Sequence, residues 1–194
     1  MLRIRSWMNL LLVSLLLIGP ACISPAVPPA VHYFSPTLPA AASRGAGRAT
    51  RPLWLRRVVS AGHLGERFVW RASDVEYGFR ELTRWTEEPA TFVRQALERQ
   101  LYPGIFQRNE TSRAFTLEVE LLSFEEQLDP ERRAHVAFVV RLHDADGNSL
   151  LERSFEHGTP VEGSGDAAVA RAMGLSMSVA TREAVRSIDR AARE

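Results

Sequence analysis

One cysteine, five histidines and a few serines and acids are the first candidates for chemistry in this chain, and their spacing decides what they can do. His135 and His143 stand eight residues apart on one predicted strand, so both point to the same face. That spacing is ~26 Å along a strand, too far for one metal ion or one proton relay. His32, His63 and His157 fall in predicted loops or at strand ends, and no His-x-x-His or His-Glu-x-x-His pattern occurs. Zinc is therefore not expected. Gly163-Ser164-Gly165 precedes a predicted helix but lacks the Gly-x-Ser-x-Gly spacing of a nucleophile elbow, and it reads as a loop with a helix cap. Asp144-Ala145-Asp146-Gly147-Asn148 imitates a calcium loop, but its glycine comes too early and Phe155 stands where the bidentate glutamate belongs. A hairpin turn accounts for it better. Glu87 and Glu88, beside Trp85, precede a helix predicted to start near Pro89, where acids interact with the N-terminal dipole. Asn109-Glu110-Thr111 is a formal glycosylation sequon. All 24 basic residues are arginine, and the absence of lysine excludes Schiff-base chemistry and a P-loop. No catalytic residue, metal or cofactor is expected, and the chain does not read as an enzyme.

Cys22 is different because of where it lies. Arg3 and Arg5 open the chain, an apolar run from Leu10 to Ile18 follows, and Gly19-Pro20-Ala21-Cys22 ends it. The run is well short of the ~20 residues of a spanning helix. A basic start, a short apolar stretch and small residues describe a secretory signal peptide over 1–21. A lone thiol just past it is placed to take a diacylglycerol and become the lipidated N-terminus. The signal departs from the usual lipoprotein form: Gly19 holds the place of the customary leucine, and Pro20 is unusual. A soluble periplasmic protein cleaved near Ala21 and a retained, uncleaved anchor both stay open. One thiol makes no internal disulfide and no cysteine zinc cluster.

The elements that must carry any site begin further on. Residues 22–52 form the lipidated cysteine and a Pro/Ala-rich tether, with His32-Tyr33-Phe34 as a candidate edge strand. Residues 53–194 read as a single domain. Leu53, Leu55 and Val59 alternate with Trp54, Arg56 and Ser60 in a strand. Phe68–Ala72 and Val75–Arg80 read as two more. Pro89 starts a helix whose Phe92, Val93, Ala96, Leu97 and Leu101 share one face, with Arg94 and Glu98 on the outer face. Phe115–Leu121 and His135–His143 alternate as strands with one wetter face, and Asp146-Gly147 turns into a strand over Leu150–Phe155. After a loop over Gly158–Gly165, a long C-terminal helix buries Val169, Met173, Met177, Ala180, Ala184 and Ile188. These elements predict an α+β fold, or a mixed α/β one: a meander forming an antiparallel-rich mixed sheet, with two amphipathic helices packed on one face. Net charge is only +1, so no global field draws nucleic acid.

The stretch Trp70-Arg71-Ala72-Ser73, then Tyr77, then Arg84-Trp85-Thr86-Glu87-Glu88-Pro89 and the helix to Leu101 resembles the ABC-type transport auxiliary lipoprotein family (PqiC-like). The family pattern is an aromatic-Arg pair, a tyrosine, and a Trp-Ala-Glu-Pro-like turn before a helix. Here Thr86 replaces the small residue and an extra acid precedes the proline. The Tyr33-Phe34 pair is also similar to the family's start. The resemblance implies a lipid-anchored, periplasm-facing protein, usually on the outer membrane, beside an ABC permease and ATPase and an MCE-type protein that move lipids or other hydrophobic molecules. It implies docking without chemistry, and makes Arg71, Tyr77, Trp85, Glu87 and Pro89 framework residues. Ile23 is not the aspartate that signals inner-membrane retention, which favours the outer membrane without excluding the inner. A second reading is a lipoprotein that itself ferries an apolar ligand. A homo-oligomer stays open.

Overall fold

The computed structural model describes residues 28–41, 51–111 and 113–194, so the expected signal peptide, Cys22 and residues 23–27 and 42–50 of the expected tether lie outside the described residues. Among the described residues eight strands and two helices follow one another: β1 (His32–Phe34), β2 (Pro52–Ser60), β3 (Arg67–Arg71), β4 (Tyr77–Trp85), α1 (Pro89–Leu101), β5 (Gln107–Arg108), β6 (Phe115–Gln127), β7 (Arg133–His143), β8 (Ser149–Pro160) and α2 (Asp166–Ala191). All eight strands join one mixed sheet, so the class is α+β.

The central strand is β6. One edge pairs antiparallel with β7 over its length, and β7 pairs antiparallel with β8. The other edge is shared: β2 runs parallel to its first half and β3 parallel to its second. β4 pairs antiparallel with β3, β1 parallel with β4, and the two-residue β5 parallel with β2. The two longest pairings, β6–β7 and β7–β8, are antiparallel and hold most of the paired residues, so the sheet is antiparallel-rich. It is not a simple meander, because β2 and β3 meet β6 rather than each other.

Alternation along β7 separates the faces cleanly. Ala134, Val136, Phe138, Val140 and Leu142 are fully buried, while His135, Arg141 and His143 lie on the other face. α2 packs on the buried side of β7 and β8 and against α1, which lies on β2. All six predicted stripe residues of α2 are buried. Buried polar side chains tie the layers together. Gln100 Nε2 donates to Thr181 Oγ1 (2.6 Å) between the helices, and Ser176 Oγ donates to the Ala134 carbonyl (2.7 Å).

Bulges explain where simple alternation misplaces residues. The β2 register shifts between Leu55 and Arg57, so Val58 packs on the core and Val59 is 42% exposed, not on the face of Leu53 and Leu55. β4 continues to Trp85 rather than ending at Arg80, and β6 runs to Gln127 past a shift at Leu122. β8 extends through His157 and Gly158, which sequence spacing placed at a strand end and in a loop. Arg94 and Glu98 do not serve an outer face. Arg94 Nη1 donates to the Leu55 carbonyl (3.1 Å), and Glu98 pairs with Arg108 (3.0 Å). Tyr102 Oη also accepts from the Leu55 amide (3.2 Å) and contacts the Leu53 carbonyl, so side chains of the α1 region cap the outer edge of β2.

The folded body starts at Val31. His32–Phe34 is indeed an edge strand, and the chain after it stays on the domain. Pro36 and Pro39 are buried, and Leu38 packs on the core. At Gly174 of α2, an added Cβ would lie 2.6 Å from the Thr37 carbonyl oxygen, so only glycine admits this crossing.

Candidate functional site

The residues singled out by sequence occupy two settings. Trp85 ends β4, is 1% exposed and stacks on Phe68 at 3.7 Å between ring centroids. Phe124 meets it edge-on at 5.2 Å and Phe92 at 6.2 Å. It thus joins β3, β4, β6 and α1 in one aromatic cluster, with its indole nitrogen unpartnered. Pro89 holds the first turn of α1, where its missing N–H costs nothing. Neither acid before it caps the helix through its side chain. The Glu88 carbonyl accepts from the Thr91 amide (2.8 Å), and the Glu87 carboxylate accepts from Gln95 Nε2 (3.1 Å). Glu87 therefore braces the helix by a side-chain contact, not through the amides of its first turn.

Arg71 and Tyr77 lie on the opposite face of the sheet. They are cross-strand partners, with the guanidinium 5.4 Å from the ring centroid. Arg71 Nε donates to Glu125 Oε1 at 2.6 Å, and this hydrogen bond, opposed by some burial, raises the arginine's pKa.

Glu125 opens onto a charged cluster that the sequence did not reveal. The shift at Leu122 puts Phe124 and Glu126 on the helix side of β6 and Ser123 and Glu125 on the other. Glu126 is 1% exposed and accepts from Arg80 and from Arg132 Nε (2.5 Å). Arg80 also pairs with Asp166 at the start of α2, and Thr83 Oγ1 donates to the same carboxylate. Arg132 Nη1 donates to the Gly163 carbonyl (2.8 Å). Five segments thus converge on one buried carboxylate. Such a network adds little net stability, but a buried charge without its partners is costly, so it enforces one arrangement. The signal available in sequence was Glu125-Glu126 inside an apolar strand, since buried acids require partners.

On the far face, His135 stands opposite Glu125 across the ladder, with Ser123 Oγ 2.9 Å from its Nδ1. Glu156 Oε2 is 3.8 Å from its Nε2. Burial lowers the His135 pKa below its usual 6.5, against the pull of Glu156 and Glu125. A serine, a histidine and an acid in a row suggest nucleophilic catalysis, yet the acid contact is too long for a hydrogen bond. Ser123 also sits mid-strand, where the ladder uses backbone amides that an oxyanion would need. His143 is at the far end of the same face and Ser164 is exposed in the loop before α2, so the structure does not bring these three together. Among the described residues no three His, Cys, Asp or Glu side chains converge on a metal position. Asp144 closes a turn: its carboxylate accepts from the Asn148 side chain (2.9 Å) and from the Asp146 and Asn148 amides, and these bonds lower its pKa.

Grooves of about 270 to 370 Å³ among the described residues each have charged residues in the wall. Arg80 and Glu126 border one, Arg71 and Asp74 a second, and Glu162 and Arg171 a third. None is the enclosed apolar cavity of a hydrophobic-ligand carrier.

The fold is shared with solved structures of low sequence identity. A Xanthomonas campestris protein of the DUF330 family matches with a TM-score of 0.72 and 17% identity, covering 84% of this chain and 97% of its own. A second, uncharacterized protein matches with a TM-score of 0.66 and 19% identity, over 82% of this chain and 99% of its own. A hypothetical protein from Chlamydia trachomatis matches at 0.50 and 14% identity, over 73% and 96% of the two chains. No curated protein matches the sequence. The family model for the ABC-type transport auxiliary lipoprotein component matches residues 34–185, from the end of β1 into the last turns of α2, and the chain belongs to that family.

Proposed function

We propose that this auxiliary component is held by lipid at Cys22 and faces the periplasm from the outer membrane. There it supports an ABC permease and ATPase and an MCE-type protein in moving lipids or other hydrophobic molecules. It acts by docking to these proteins, not by turnover. The family match over nearly the whole folded body carries this reading. The architecture supports it: the conspicuous polar clusters are locked into ion pairs between segments, and the described grooves are shallow and charged. Trp85 and Pro89 serve as framework, and contact residues for the transporter must lie elsewhere.

The test has two arms. Cys22→Ser is expected to abolish lipid labelling and release the protein from the membrane fraction. An unchanged mature mass and membrane fraction would remove the lipid anchor from the proposal. In the second arm, replacing His135, His143 and Ser164 together with alanine is expected to leave transporter-dependent complementation intact, once abundance is matched. Complete loss in a well-folded variant would restore an enzymatic reading.

A further inference from the structure

The solvent face of α2 is a narrow stripe of unusual composition. Successive exposed positions along it are Arg171, Leu175, Val179, Arg182, Arg186 and Arg190. Leu175 is 60% exposed and Val179 is 38% exposed, one turn apart. None of the four arginines forms an ion pair with a described carboxylate, although other arginines of the domain do. The acids nearest the stripe are few: Glu183 is exposed and turned to Arg153 (3.7 Å), Asp189 is taken by Arg51 and Arg193, and Glu162 shares the groove beside Arg171 and Leu175. In a chain of net charge +1, this is a local concentration of positive charge around two aliphatic side chains.

The chain leading to the domain supplies the second observation. Val31 lies only nine positions after Cys22, because the segment once read as tether packs on the domain from β1 onward. Nine residues reach at most about 30 Å when fully extended. A domain held at Cys22 therefore stays within about 30 Å of the lipid surface, on the order of its own width. The same chain crosses α2 at Gly174, where the Thr37 backbone touches it, between Arg171 and Leu175 and their neighbours.

We propose that this stripe of α2 lies on an anionic lipid surface, with Leu175 and Val179 at the acyl boundary and Arg171, Arg182 and Arg186 on lipid phosphates. The inference rests on the anchored reading of Cys22 and adds which face meets the membrane. Acyl chains and a basic, partly apolar surface are complementary signals, each modest alone.

The experiment uses the full-length protein produced by a host that processes lipoproteins. A lipidated Cys22 has no free thiol, so Leu175→Cys carries the only site for an environment-sensitive fluorophore. Val75→Cys, at a position 91% exposed in the β3–β4 turn, is the control. Vesicles are phosphatidylcholine alone or an equal mixture with phosphatidylglycerol. The probe at 175 is expected to shift to the blue and to be quenched by lipid-borne quenchers on the anionic vesicles, with the control unchanged. High salt should reverse the shift by screening. Arg171→Glu with Arg182→Glu and Arg186→Glu should abolish it while the protein still floats with vesicles. A probe at 175 that stays water-like on anionic vesicles overturns the inference. An equal shift in detergent also overturns it, because a second copy then covers the stripe, and so does an equal shift on neutral vesicles, because the arginines then recognise no anionic lipid. Labelling at two sites, or failure to float with neutral vesicles, defeats the anchor instead. The anionic vesicles, with Cys22→Ser as background, still decide the stripe.

Discussion

The two halves of β6 are one continuous strand, yet they are held by opposite means. In residues 115–121, Leu117, Val119 and Leu121 bury hydrocarbon against the helices, while Glu118 and Glu120 meet arginines at the surface. In residues 123–127 the strand has changed its neighbour from β2 to β3, and both Glu125 and Glu126 are buried on opposite faces, each held by arginine. The first half tolerates any partner of suitable volume. The second accepts only one set of side chains. Stability resides in the former, and the relative placement of β3, β4, the β6–β7 turn and the start of α2 resides in the latter.

Breaking the second half should cost most. Glu126→Ala leaves Arg80 and Arg132 without their shared carboxylate, and chemical denaturation should show a loss of about 3–5 kcal/mol. A combined Arg80→Met, Glu126→Leu, Arg132→Leu variant should recover much of that loss while leaving the N-terminus of α2 less ordered in amide exchange. A single Glu126→Ala loss below about 1 kcal/mol would mean that water already enters the cluster. In the first half, Leu121→Ala should cost about 2–5 kcal/mol through a simple cavity, with no change in exchange at α2.

A smaller effect separates the halves by pH. His135 is held neutral in the folded state because burial depresses its pKa, whereas the unfolded chain titrates near 6.5. The unfolded state therefore binds the extra proton first. The stabilisation is complete above about pH 6.5 and is lost as pH falls through the lower folded value. Melting curves from neutral to mildly acid pH should show this slope, and His135→Gln should flatten it. An unchanged slope in the variant would assign the acid sensitivity to other groups. The smallest effect belongs to the junction. Leu122 is the bulged residue and 42% exposed, so Leu122→Ser should change stability by no more than about 0.5 kcal/mol.

The same contrast shows what the sequence made legible. Helix α1 from Pro89 to Leu101 and the buried stripe of α2 follow from helical periodicity, and both appear as expected. β7 follows from strict alternation. Alternation fails wherever a bulge resets it, at Arg56 and at Leu122, because an inserted residue reverses the facing of all that follow. The charged cluster was illegible for another reason. Arg80 and Asp166 are far in sequence from Glu126 and Arg132, and only the sheet order brings them together. Pro36 and Pro39 read as tether because proline excludes regular structure, but irregular chain can still pack.

The capped edge of β2 bears on how copies of the domain can meet. Tyr102 and Arg94 occupy backbone groups that an incoming strand would need, and β1 offers only three residues at its own margin. Among the described residues β8 pairs on one side only, and no strand pairs with the other margin of its twelve residues. Growth of a sheet without limit requires two unlike margins that fit each other. With one long margin occupied by side chains, strand addition through β8 joins like to like and stops at a pair. The domain is thereby guarded against fibrous growth even at high local density.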